Sequence, residues 1–128
     1  MKATYKIAVD VYSMVEKVSK AFPTKFGHIK QTDLCLVYRN SVKSSYKVKT
    51  RILNNMFRAL TDKKIIIEVW EQAWETATES QKALLVYQAL YHISWNEKKA
   101  DYAIRKYDLT GYYELFKEWG LSYEGADE

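Results

Sequence analysis

Ile7, Val11, Met14, Val15, Val18 and Phe22 recur at spacings of three and four, with Lys and Glu between them. That period puts them on one helical face and predicts an amphipathic helix over residues 5–22. Pro23 ends it, because proline lacks an N–H and disfavours helical geometry in the residue before it. Gly27 marks the turn that follows. The pattern then changes. DLCLVYR (33–39) is short, apolar and rich in strand formers, and reads as a strand. KIIIEVW (64–70) reads as a second, its three consecutive isoleucines pointing to burial on both faces. Between them YKVKT (46–50) alternates like an exposed strand, whereas Ile52, Leu53, Met56, Phe57 and Leu60 follow helical spacing. A strand followed by a helical turn or two is expected there.

The strongest pattern comes next. Thr78 followed by Gln81 fits a capping box, and QKALLVYQALYHI (81–93) is apolar around most of its circumference. Such a helix belongs in the middle of a fold. After SWNEKKAD a short extended piece, YAIRK (102–106), is expected, then a last helix over about 109–119 stopped by Gly120 in the C′ role. LSYEGADE (121–128) reads as a flexible tail. The sum is one α+β domain over residues 1–120, a short sheet packed on a central helix with flanking N- and C-terminal helices.

Composition narrows the function classes. A chain of 128 residues, 48 % hydrophobic and 15 % aromatic, can close one core and is not a disordered segment. No run approaches the roughly 18–20 apolar residues that cross a bilayer, so no membrane association is expected. Asp10 and Glu16 interrupt the N-terminal stretch, which lacks the continuous apolar region of a signal peptide. Cys35 is the only cysteine, which excludes an internal disulfide and suits a reducing cytoplasm. The formal charge of +4 is modest and does not by itself imply nucleic acid.

Candidate chemistry is limited by the ligand count. His28, His92 and Cys35 are the only histidines and cysteine, and a catalytic zinc site takes three protein ligands. Any metal site must therefore recruit carboxylates or Cys35. Cys35 sits in an apolar strand, where thiols usually pack rather than react. No Gly-x-Ser-x-Gly elbow and no Gly-rich phosphate loop is present. Arg39, Lys43, Lys47, Lys49, Arg51 and Arg58 form a basic run with no acid between Arg39 and Thr61. It suits phosphates or an acidic protein face. Glu68, Glu71, Glu75 and Glu79 form an acidic run just after it. If the two pack side by side, they neutralise each other. Eleven tyrosines and four tryptophans should be mostly core, and any left exposed would suit a protein-binding surface.

Three stretches, FGHIKQTDLCLVYRN, KKIIIEVWEQAWETATESQKALLVYQALYHI and AIRKYDLTGYYELFKEWGL, taken in that order and spacing, resemble the putative phage metallopeptidases, small proteins related to SprT-like zincins. The resemblance covers roughly residues 5–120 and implies a zincin-like layout. In that family the central helix carries His-Glu-x-x-His and a later "rkHD" phrase supplies a third His. Aligned on Tyr-His-Ile, this chain has Gln88, Ala89 and His92 at the His, Glu and His positions. Shifted by one residue, it has Tyr87, Gln88 and Tyr91. Tyr107 stands where the third His would be.

The resemblance therefore implies a degenerate member with no catalytic residue, no metal ligand set and no cofactor, zinc included. A polar cluster of Gln88, His92 and Tyr107 is expected to replace the metal. The implied role is a phage or prophage protein in the bacterial cytoplasm that binds a protein partner, an inhibitor of a host defence nuclease among the candidates. Two alternatives stay open. One is a zinc metallopeptidase with unusual ligands such as His92, Asp108 and a carboxylate from residues 97–101. The other is a nucleic-acid binder using the basic 39–58 segment.

Overall fold

Two runs of β-branched and apolar residues form the middle of a four-stranded sheet. β2 (Leu34–Asn40) and β4 (Ile65–Trp70) lie side by side and parallel, with Leu36 opposite Ile67. The outer strands are β1 (Thr4–Ile7), antiparallel to β2, and β3 (Val48–Ile52), antiparallel to β4, giving the order β1-β2-β4-β3. The computed structural model describes residues 3–44 and 46–105. The helix expected at 109–119, its Gly120 stop, the tail 121–128, and Tyr107 and Asp108 lie outside the described residues.

One face of the sheet makes the core. Leu34, Leu36, Ile65, Ile67 and Val69 are at most 1 % exposed and meet α1 (Val9–Ala21) and α5 (Glu79–Tyr91). α1 contributes Val11, Met14, Val15 and Val18, the face its periodicity predicts. α5 buries Leu84, Tyr87 and Leu90 almost completely, each side chain contributing about 1.5–3 kcal/mol of hydrophobic stabilisation. Tyr12 of α1 also reaches the sheet. Its hydroxyl donates to the Leu34 carbonyl at 3.1 Å and accepts from the Leu36 N–H at 3.2 Å, taking over β2 pairing where β1 ends.

The N-terminal helix is shorter than its sequence suggests. Residues 4–7 form the edge strand β1 instead, with all four side chains exposed and Tyr5 opposite Arg39. Ile7 has the right spacing for the helix, but ladder hydrogen bonds to β2 satisfy its backbone and leave its side chain 57 % exposed. α1 then ends at Ala21, and Pro23 opens a single turn, α2 (Pro23–Phe26), rather than a loop. Gly27 follows because any Cβ there would lie 2.7 Å from the Pro23 carbonyl oxygen.

Between β3 and β4 the expected helical turns exist as α3 (Asn55–Thr61), capped by the Asn54 side chain accepting from the Phe57 N–H. Its Met56, Phe57 and Leu60 remain exposed. The acidic, Trp-containing stretch after β4 forms α4 (Glu71–Thr76). α5 stops at Tyr91, two residues before its apolar pattern ends. Ile93–Asn96 then form β5, paired antiparallel with β6 (Asp101–Ile104). Among the described residues no helix is long and apolar enough to cross a membrane.

Candidate functional site

α5 is fixed at both ends. Thr78 accepts from the Gln81 N–H at 3.2 Å and the Gln81 side chain accepts from the Thr78 N–H at 2.7 Å, a complete capping box. Near the other end, Thr50 of β3 donates its hydroxyl to the Ala89 carbonyl at 2.8 Å. That carbonyl lies in the last turn of the helix, where carbonyls run out of intrahelical N–H donors. The helix is thus bolted to the sheet beside the sequence-predicted site.

The site residues of α5 have different surroundings. Ala89 is buried, 2 % exposed, in the core. Gln88 and His92 are half-buried on the neighbouring face. His92 caps α5, and its Nδ1 lies 3.1 Å from the Arg105 carbonyl oxygen, while the Arg105 N–H donates to the His92 carbonyl. A carbonyl only accepts, so in the neutral ring Nδ1 carries the proton and Nε2 the lone pair. The other positions of the shifted register, Tyr87 and Tyr91, stack on each other with ring centroids 6.3 Å apart. Tyr87 is buried against Phe22 and Phe26, and Lys25 donates to its hydroxyl at 2.9 Å.

A cleft of about 610 Å³ opens at this end of α5. Lys25, His28, Tyr91, Trp95, Glu97 and Arg105 are among the residues lining it. His28 Nε2 lies 2.8 Å from the Ile93 carbonyl oxygen, so both histidines close on the junction of α5 with the β5–β6 hairpin. The Arg105 guanidinium lies over the Tyr91 ring at 4.7 Å, and Trp95 is 45 % exposed. Sequence reasoning singled out His92 and missed Lys25, Arg105 and the role of His28. The signal was faint, because the turn after Pro23 and the RK phrase reach α5 only through the tertiary fold.

The basic run is partly neutralised. Lys49 of β3 faces Glu68 of β4 across the ladder, and the Arg51 guanidinium is 3.5 Å from the Glu68 carboxylate. The Tyr46 hydroxyl donates to Glu68 at 2.9 Å, and Lys49 and Arg39 lie over the Tyr46 ring at 5.2 and 5.6 Å. Lys49 and Arg51 therefore flank the buried Glu68 carboxylate on the second face of the sheet, and Arg39 joins them at the Tyr46 ring. Burial, then the bond to Glu68, pushes the Tyr46 hydroxyl above its ordinary pKa. Lys43 is exposed and Lys47 half-buried in the adjoining loop. Arg58 is committed elsewhere, 2.9 Å from Asp101 of β6. In the acidic run, Glu71 is held below the usual carboxylate range by hydrogen bonds from Lys6, at 2.6 Å, and Asn40, at 2.8 Å.

Zinc is the metal the sequence resemblance brings to mind. An amide at Gln88 and a methyl at Ala89 do not fit it, whereas the His92 tautomer does. Among the described residues no group of three or more His, Cys, Asp or Glu could hold a metal ion. Cys35 is half-buried, and burial pushes its thiol up, away from the reactive thiolate.

Comparison with known proteins gives one result. The family described as putative phage metallopeptidase matches residues 3–127, nearly the whole chain. No curated protein and no solved structure matches.

Proposed function

The chain belongs to the putative phage metallopeptidase family, and on that premise we propose that it acts by binding a host or phage protein rather than by cutting peptides. One observation carries the proposal. In the alignment that the resemblance implies, the position of the family's general base holds Ala89, a buried methyl, or in the shifted register Gln88, an amide. Neither exchanges a proton near neutrality, so that position supplies no base to activate a water.

The cleft at the end of α5 offers the binding chemistry. Trp95, Tyr91 and Arg105 are residue types that anchor protein interfaces, and Lys25 and Arg105 favour an acidic partner surface. A host defence nuclease is one partner class that fits a small phage protein. The test uses the purified full chain as bait in host extract, beside a peptide-cleavage assay with added zinc. Capture of a stoichiometric partner, lost in the Trp95→Ala, Arg105→Glu variant, supports binding. Zinc-dependent cleavage abolished by His92→Ala would overturn it.

One observation favours a second reading, zinc binding. A metal-ligating histidine commonly donates its other ring N–H to a carbonyl, and His92 does so to Arg105. On that reading His92 Nε2 would be the retained ligand. Nucleic-acid binding through Arg39, Lys43, Lys47, Lys49 and Arg51 predicts affinity that falls steeply with salt. Lys47→Glu with Lys49→Glu would abolish it.

A further inference from the structure

β1 is an outer strand of the sheet, at the edge away from β3, where Thr50 holds α5. The Ala8 N–H donates to the Leu36 carbonyl at 2.9 Å, and successive residues of an antiparallel ladder turn their backbone groups to opposite sides. Thr4 and Lys6 therefore face β2, whereas Tyr5 and Ile7 aim N–H and C=O outward. Among the described residues no strand pairs with that edge. The Tyr5 and Ile7 side chains share one face of the sheet and are 56 and 57 % exposed. Such an edge is a template for another strand, and proteins commonly guard it with proline, a bulge or a charge. The ladder from Thr4 to Ile7 is unbroken and holds no proline. Its one charge, Lys6, lies on the opposite face, 2.6 Å from the buried Glu71 carboxylate.

We infer that β1 is a homodimer interface, pairing antiparallel with β1 of a second copy about a twofold axis at Lys6. That register sets Tyr5 of each copy opposite Ile7 of the other. The outward N–H and C=O groups of both residues then bond across the axis, and the two exposed apolar pairs cover each other. Lys6 meets Lys6 of the second copy, but each charge is already offset by the Glu71 it holds. The strand is thus complementary to itself, as a twofold interface requires. A strand this short buries far less than the ~1,200 Å² of a stable complex, so a dissociation constant on the order of 10–100 µM is expected. The pairing involves none of the residues that line the cleft at α5 and does not depend on what that cleft binds.

Sedimentation equilibrium of the full chain, with amide hydrogen exchange at low and high protein concentration, tests this. The expected result is a reversible monomer–dimer equilibrium. The Tyr5 and Ile7 amides should exchange fast in dilute protein and slow down as the dimer forms, while the Lys6 amide stays protected throughout. Ile7→Pro removes an outward N–H that the ladder to β2 does not use, and should abolish association in a chain that still folds. Tyr5→Glu, a change at an exposed side chain, should weaken association several-fold and covers the case in which the proline variant unfolds. A chain that stays monomeric up to about 1 mM would overturn the assignment. So would a dimer in which the Tyr5 and Ile7 amides stay fast, or one that forms equally well in Tyr5→Glu.

Discussion

The imidazole Nδ1 of His92 lies 3.1 Å from the carbonyl oxygen of Arg105, and the Arg105 N–H donates back to the His92 carbonyl. The ring therefore extends the β5–β6 ladder by one rung beyond Ile93 and Ile104. His92→Ala should lose the exposed hydrogen bond to the Arg105 carbonyl, about 0.5–1 kcal/mol, and speed amide exchange at the open end of the hairpin. Urea unfolding and hydrogen exchange measure both. A loss several times larger that added zinc restores would assign the histidine to a metal instead.

Thr50 joins the central helix to the sheet. Thr50→Val keeps the shape but leaves the Ala89 carbonyl without its side-chain donor, so a loss of about 1–3 kcal/mol is expected. Thr50→Ser should recover most of it. Equal stability of all three proteins in denaturant would show that the bond contributes nothing.

Positions 88 and 89 should respond unequally to a carboxylate. Ala89→Glu places a charge where the methyl is 2 % exposed, and a loss above about 3 kcal/mol is expected. Gln88→Glu, on the half-buried face, should cost less than about 1 kcal/mol. Guanidinium unfolding of the two variants separates them. A well-folded Ala89→Glu protein would mean that position 89 can reach the cleft.

Glu71 gives the fold an acid dependence. Its hydrogen bonds from Lys6 and Asn40 hold its folded pKa below the value of about 4.3 in an unfolded chain. A lowered carboxylate stabilises the folded state above the unfolded value, and that contribution disappears as pH falls through the folded one. Glu71→Gln should therefore start less stable near neutrality and lose less than wild type as pH drops below about 5. Thermal unfolding across that range checks the slopes.

Much of the fold was legible where side-chain pattern alone decides structure. The Thr78–Gln81 box, the apolar α5 and the strands at Leu34 and Ile65 all announced themselves. What escaped was set by backbone pairing. The exposed TYKI of β1 follows helical spacing as readily as an edge strand, and only the ladder to Arg39 and Val37 decides. The ISWN of β5 was masked in the same way, by an apolar helix ending just before it.

The candidate site was legible only in part. His92 stood out as one of two histidines, but its tie to Arg105 and the approach of His28 to Ile93 depend on contacts 13 and 65 residues apart in sequence. The partial neutralisation of the basic run was foreseeable only as a condition. It needed β3 beside β4, which puts Arg51 on Glu68.

The claim that α5 has left peptidase chemistry is tested most directly by the zinc content of protein purified without added metal. Wild type and His92→Ala should be measured together. The account predicts substoichiometric zinc in both. Stoichiometric, tightly held zinc in wild type that disappears in His92→Ala would contradict it.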